Sequence, residues 1–145
     1  MAKTHTGFRI RPEVLEQLDA RGPRSTIADR DLERLYALYA RALQRVVPSF
    51  SIDELCLIVD ALNGTLHDVR SGVRFWIGVE DSIELYGFDA KWGVDGRALM
   101  EKLRALDELT CMAIVDAAER FWHGEKYRNM DVHEGVRDAF GIRNT

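Results

Sequence analysis

Residues 4–18, Thr-His-Thr-Gly-Phe-Arg-Ile-Arg-Pro-Glu-Val-Leu-Glu-Gln-Leu, contain a change of hydrophobic period from two to about three and a half. Phe8 and Ile10 alternate with small or basic residues, which is typical of a half-buried β-strand. Pro12 then stands where the first turn of a helix tolerates proline. The apolar residues that follow share one helical face: Val14, Leu15 and Leu18. The stretch therefore predicts a short basic strand followed directly by an amphipathic helix from Pro12 to about Asp19.

A second predicted helix begins after Gly22-Pro23, takes Ser25 or Thr26 as its N-terminal cap, and runs to about Val46. Its apolar stripe consists of Leu32, Leu35, Tyr36, Tyr39, Leu43 and Val46. One strand and two helices make residues 1–47 a candidate domain of their own.

The rest of the chain carries a series of helix-start signals. They are Ser51 with Glu54, Asp95, Asp107, and Asp131 with Glu134. A further helix is predicted from about Val73 to Tyr86, and residues 88–96 are predicted to form an ordered loop. Residues 48–145 are therefore predicted to form an acidic all-α bundle, so the whole chain is expected to be mainly α, with domains 1–47 and 48–145.

The charge is distributed unevenly along the chain. The formal net charge is −4, yet residues 1–45 hold nine Lys and Arg against six Asp and Glu. The remaining residues hold eleven basic against eighteen acidic side chains. A basic N-terminal segment on an acidic body favours a nucleic-acid contact made at one end of the molecule.

The composition also indicates a compartment. No apolar run approaches the roughly 20 residues that a membrane-spanning helix needs, and the N-terminal residues contain no apolar run, so neither export nor a membrane is expected. Cys56 and Cys111 lie in apolar helical stretches without a CxxC partner, which favours reduced core thiols over a disulfide. A cytoplasmic protein without a membrane segment is expected.

The N-terminal pattern resembles the ribbon-helix-helix (Arc/MetJ-type) family of DNA-binding regulators. The resemblance rests on Phe8-Arg-Ile-Arg-Pro-Glu-Val-Leu-Glu-Gln-Leu18, on Gly22 and on the helix start at Ser25-Thr26. It covers roughly residues 3–45, and no family is recognised in residues 48–145.

The resemblance implies a fold, a dimer and a DNA interface. Two chains would pair their strands into a ribbon that enters the major groove, as a homodimer or a higher oligomer. Arg9 would then read guanine, while Ser25 and Thr26 would hold a phosphate at the start of the second helix. The full set of implied DNA-binding residues is His5, Gly7, Arg9, Arg11, Arg24, Ser25 and Thr26.

The motifs of catalysis and metal binding are not found in the sequence. It contains no nucleophile motif and no phosphate-binding glycine loop, so neither an enzyme nor a cofactor is expected. The histidines are isolated, and a metal site at Asp131 and His133 is not expected. The acidic cluster on the predicted fourth helix, Glu80, Asp81 and Glu84, is interpreted as a solvated face opposite the apolar residues.

The tryptophans Trp76, Trp92 and Trp122 allow two interpretations. They either fill the core of the C-terminal bundle or form an apolar pocket for an effector, or a docking face for a protein partner. The irregular segment from Lys91 to Gly96 is the predicted location of such a face.

Two functions follow from these patterns. The first is a prokaryotic-type, sequence-specific or semi-specific DNA-binding protein, a dimeric transcriptional repressor or autoregulator. The alternative is a helical interaction protein, antitoxin-like or an adaptor, that uses the N-terminal module only to dimerise and does not bind DNA.

Overall fold

A computed structural model describes residues 10–63 and 75–142, and every regular element in these two ranges is a helix. The elements are α1 (Pro12–Asp19), α2 (Arg24–Val46), α3 (Ile52–Ala61), α4 (Phe75–Tyr86), α5 (Phe88–Trp92), α6 (Gly96–Arg104), α7 (Glu108–His123) and α8 (Val132–Ala139), with short 3₁₀ turns at Val47–Ser49 and Glu125–Tyr127. The chain divides into two compact units, Met1–Ala37 and Leu38–Thr145. Within the described ranges, no helix combines the length and the apolar character needed to cross a membrane.

The prediction of an N-terminal strand, and with it the ribbon-helix-helix fold class, is wrong. Residues 10–63 and 75–142 contain no strand, and the all-α part of the prediction is the part that fits. Ile10 and Arg11, the last residues of the predicted strand, lead straight into α1, while residues 1–9 lie outside the described ranges. Arg11 is extended, with φ −60° and ψ 142°. Pro12 explains this conformation, because proline disfavours the helical region for the residue before it.

The first unit contains α1 and the N-terminal part of α2. The predicted helix from Pro12 to Asp19 is confirmed. Gly22, with φ 135°, makes the turn between the helices, and this angle is one that side-chain-bearing residues rarely adopt. α2 begins at Arg24, so Ser25 and Thr26 lie inside its first turn and do not precede it as a cap.

The second unit is built around α3, most of whose residues are buried. Seven of its ten residues are buried, and α4, α5, α7 and α8 all contact the helix. The predicted capping box at its start is confirmed, because Ser51 and Glu54 bind each other's backbone N–H groups. The predicted caps Asp95, Asp107 and Asp131 are confirmed in the same way.

A buried charge ties α3 to α6. The Glu54 carboxylate receives hydrogen bonds from Lys102 Nζ at 2.8 and 3.1 Å. Lys102 Nζ also donates to the carbonyl of Ser49 at 2.7 Å and lies 5.3 Å from the centre of the Phe50 ring. Glu54 therefore both caps its own helix and fixes the position of a second one.

The prediction that residues 88–96 form a loop is wrong over its first half, where α5 lies. Glycines in the left-handed conformation flank this five-residue helix, Gly87 with φ 66° and Gly93 with φ 65°. A helix this short is not stable alone. Its last two residues, Lys91 and Trp92, both donate to the Asp60 carboxylate of α3, and these contacts hold it in place.

Two glycines allow the aromatic residues of α7 and the following turn to pack closely. A Cβ added to Gly135 of α8 would lie 2.9 Å from Phe121 Cε2, and one added to Gly124 would lie 2.8 Å from Tyr127 Cδ2. Gly78, in the middle of α4, has no such neighbour within 4 Å of an added Cβ. A glycine-to-alanine substitution is therefore expected to have opposite effects on stability at the two helical positions, 135 and 78.

We predict that Gly135→Ala lowers the free energy of unfolding by about 1 kcal/mol, because overpacking against Phe121 outweighs the helix-propensity gain of alanine. Gly78→Ala is expected to raise the free energy of unfolding by about 0.5–1 kcal/mol, since only the propensity gain applies there. Urea denaturation followed by circular dichroism measures both. Equal stabilisation by the two substitutions would show that Gly135 does not contact Phe121 as described.

Candidate functional site

A cavity of about 490 Å³ opens in the second unit, where α3, α5, the end of α7 and the start of α8 meet. Its size falls within the range of pockets that hold small organic ligands. We call it the aromatic pocket, and its lining residues are Cys56, Val59, Asp60, Lys91, Trp92, Phe121, Trp122, Tyr127, Arg128, Met130 and Val132.

One face of α3 forms the floor of the aromatic pocket. Cys56, Val59 and Asp60 are separated by three and four residues, so they lie on the same side of the helix. Cys56 and Val59 are buried, and Asp60 keeps 21% of its side chain exposed. The floor is thus apolar with a single carboxylate at its edge.

Aromatic rings form the wall. Phe121 stacks on Tyr127, with the ring centres 5.6 Å apart and the planes 30° apart. Trp122 meets Phe121 edge-on, at 5.0 Å and 85°. Trp122 also remains 38% exposed, so its ring is not fully covered by the chain's own core. These rings present an aromatic surface on which the ring of a ligand could pack in an offset or edge-to-face arrangement.

The two indole N–H groups of the pocket are already bonded. Trp122 Nε1 donates to the carbonyl of Val59 at 2.8 Å, near the end of α3, where helix carbonyls lack backbone partners. Trp92 Nε1 donates to Asp60 Oδ2 at 3.0 Å, and the Trp92 ring meets His133 edge-on at 6.0 Å. Both rings are therefore oriented before any ligand arrives.

Among the described residues, three charged side chains line the aromatic pocket: Asp60, Lys91 and Arg128. Lys91 Nζ lies 2.6 Å from Asp60 Oδ2 and pairs with it. The same ammonium lies 4.9 Å from the centre of the Phe88 ring and 5.7 Å from that of Trp92. Arg128 is exposed and forms no ion pair with any residue in the described ranges.

The pocket brings together two of the three tryptophans named from the sequence. Trp92 and Trp122 both line it, and Lys91 does so from the segment predicted to carry a binding face. Trp76 lies elsewhere, on α4, with the guanidinium carbon of Arg104 5.6 Å from its ring centre. The three predicted tryptophans therefore do not form a single face: two line the aromatic pocket and one lies on α4.

The predicted DNA-binding residues do not form a described cluster. His5, Gly7 and Arg9 lie outside the described ranges, and Arg11, Arg24, Ser25 and Thr26 are exposed in the first unit. The Arg24 guanidinium makes two hydrogen bonds to the Asp19 carboxylate, at 2.6 and 2.8 Å. This pairing lowers the pKa of Asp19 and gives Arg24 a partner within the protein.

Sequence reasoning missed Asp60, Tyr127 and Arg128. Asp60 did carry a signal, because a lone carboxylate at the end of the apolar run from residue 55 to residue 59 needs a partner when the helix is buried. Tyr127 and Arg128 follow Gly124 in a polar stretch and carry no comparable signal.

The acidic cluster and the histidines of the described ranges pair with other side chains or face solvent and do not gather into a metal site. The Glu80 carboxylate pairs with Arg104, while Asp81 and Glu84 are exposed. His133 Nε2 lies 2.8 Å from Asp53 Oδ1 and links α8 to α3. Among the described residues, no group of three or more His, Cys, Asp or Glu side chains is placed to hold a metal ion.

Cys56 is an unreactive thiol at the floor of the pocket. Burial, reinforced by the nearby Asp53 carboxylate, raises the pKa of the Cys56 thiol to about 12. Burial likewise raises the pKa of the Cys111 thiol to about 11. Because the thiolate is the nucleophile, both groups are protected at neutral pH.

We predict that Cys56 in the folded protein reacts with a thiol-specific disulfide reagent at pH 8 at least about 30-fold more slowly than in the denatured chain. The raised pKa lowers the share of thiolate about 1,000-fold, and the greater nucleophilicity of a more basic thiolate recovers only part of that loss. Mass spectrometry of peptides after timed quenching separates Cys56 from Cys111. Labelling of Cys56 in the folded protein within seconds would contradict its burial.

A scan against protein-family models, a search of curated proteins and a search of solved structures each found no match to this chain.

Proposed function

We propose that this chain is a small-molecule-binding protein and that the aromatic pocket of its second unit is the binding site. The observation that carries the proposal is a cavity of about 490 Å³ whose tryptophans are held by their own hydrogen bonds. A preformed, mostly apolar concave site with a few polar groups is the usual form of a ligand pocket.

The geometry favours a ligand over a purely structural role for these aromatic residues. Phe75, Leu99 and Leu103 are fully buried and fill the core as expected. By contrast, Trp92 and Trp122 border open space and remain partly accessible. Concave shape favours a small molecule over a flat docking partner, because most of a small ligand's surface would be covered.

A second candidate function, DNA binding, is supported by the charge of the N-terminal segment. Residues 1–45 carry nine basic and six acidic side chains, in contrast to the acidic remainder. Arg34, exposed on α2, forms no ion pair within the described ranges. Together the two proposals describe a regulator whose second unit binds an effector. Formation of a homodimer is part of the DNA-binding proposal.

We predict that the neutral fluorescent dye N-phenyl-1-naphthylamine binds the protein and that Trp122→Leu weakens its binding by about 1 kcal/mol, or about 5-fold in Kd, through loss of ring contact. Trp76→Leu, outside the pocket, is the matched control and is expected to leave the Kd unchanged. Dye fluorescence titrations measure both, and circular dichroism verifies that each variant keeps its helices.

The pocket proposal fails if the folded protein does not bind the dye, or if both tryptophan variants weaken binding equally. The second result would indicate dye adsorption on the general apolar surface.

For the DNA proposal, we predict that a labelled duplex from upstream of the chain's own gene binds at about 50 mM salt and loses affinity at about 200 mM, roughly 3.5-fold for each phosphate contact. Arg9→Ala is expected to weaken binding, whereas Arg97→Ala, an equal change of charge on α6, is not. Fluorescence anisotropy with an unrelated duplex alongside gives the comparison. Absence of binding at the lower salt concentration would rule this activity out.

A further inference from the structure

Among the described residues that line the aromatic pocket, the charges do not cancel. Asp60 contributes one negative charge, and Lys91 and Arg128 contribute one positive charge each. Asp60 Oδ2 receives hydrogen bonds from both Lys91 Nζ and Trp92 Nε1. Lys91 and Asp60 are therefore satisfied by each other, and among the described lining residues the remaining charge lies on Arg128.

Within the described part of the chain, the guanidinium of Arg128 has no side-chain partner. It makes no ion pair and no side-chain hydrogen bond with any residue in 10–63 or 75–142. Of the acidic residues beside it in the chain, Asp131 accepts the backbone N–H groups of His133 and Glu134 as the cap of α8, and Glu125 does not pair with it. A guanidinium presents a planar fork of donors that matches the oxygens of a carboxylate, sulfonate or phosphate.

The aromatic rings alone would suit a cationic ligand, but the charges oppose one. Cation–π binding requires a positive group over the face of an exposed ring. Here the chain's own Lys91 ammonium already lies over Phe88 and Trp92. A second cation would also be repelled by Arg128, and the Asp60 carboxylate, the negative group of the described lining, is already neutralised by Lys91.

We propose that the aromatic pocket binds an amphipathic organic anion, with its apolar body against Phe121, Trp122 and Tyr127 and its single acidic group on Arg128. This inference rests on the proposed small-molecule-binding function and specifies the charge of the ligand. The class comprises aromatic and aliphatic carboxylates and sulfonates small enough for the cavity.

Two dyes that share one body test the inference on the full chain. 8-Anilinonaphthalene-1-sulfonate differs from N-phenyl-1-naphthylamine by a single sulfonate, so the ratio of their Kd values isolates the effect of the anionic group. The sulfonated dye is expected to bind more tightly than the neutral one.

Arg128→Gln removes the guanidinium from an exposed position and keeps a polar side chain. We expect this variant to weaken binding of the sulfonated dye about 10-fold relative to binding of the neutral dye, which shifts the ratio of the two Kd values by that factor. This is the usual scale of a hydrogen-bonded charge contact. Arg97→Gln makes the same charge change on α6, away from the aromatic pocket, and the ratio is expected to stay at its wild-type value.

The outcomes separate the two proposals. If the neutral dye binds in a Trp122-dependent manner but Arg128→Gln leaves the ratio of Kd values unchanged, the anion inference is wrong while the pocket proposal stands. If Arg97→Gln shifts the ratio as much as Arg128→Gln, the preference reflects overall protein charge and the inference is again wrong. If neither dye binds the folded wild-type chain, the pocket proposal itself fails.

Discussion

The second unit depends on the burial of one short helix, α3. Its ten residues contact α4, α5, α7 and α8, and Leu57 and Ile58 are completely inaccessible to solvent. Burying a large aliphatic side chain contributes about 1.5–3 kcal/mol to the free energy of unfolding. A helix that is buried on most of its sides therefore stabilises the positions of the helices packed around it. The polar groups of α3 then need partners within the protein, and Lys102, Trp92 and Trp122 supply them from three neighbouring helices.

The aromatic pocket follows from how the C-terminal end of α3 is satisfied. The indole of Trp122 reaches the Val59 carbonyl, and Lys91 and Trp92 reach Asp60, so each ring is held by its polar edge. Rings fixed in this way cannot rotate to fill the space between them without losing a partly buried hydrogen bond. The same contacts that complete the fold therefore keep the rings beside the cavity, and they would reduce the ordering cost of the binding that we propose.

The features that the sequence predicted correctly are those that depend on residues close together in the chain. A capping side chain binds a backbone N–H two or three positions away, so Ser51, Asp95 and Asp107 identify their helices without knowledge of the fold. The strand prediction was wrong because a β-strand exists only where its backbone pairs with a neighbouring strand, and a local pattern does not show such a neighbour. An alternating pattern before Pro12 indicates extended backbone, which the proline produces at Arg11 by itself. α5 was missed because contacts with α3 stabilise it.

The candidate site was predictable only in part, for the same reason. Trp92 and Trp122 stood out because large aromatic residues are scarce, but their grouping depends on bonds to residues 32 and 63 positions away in the chain. Asp60 is 31 positions from Lys91, so no local pattern shows that its charge is cancelled. That cancellation determines the character of the pocket. With Asp60 unpaired, the aromatic rings and a free carboxylate would favour a cation. Paired with Lys91, the same residues leave Arg128 as the unpaired charge of the described lining, and the preference that we propose is for an anion.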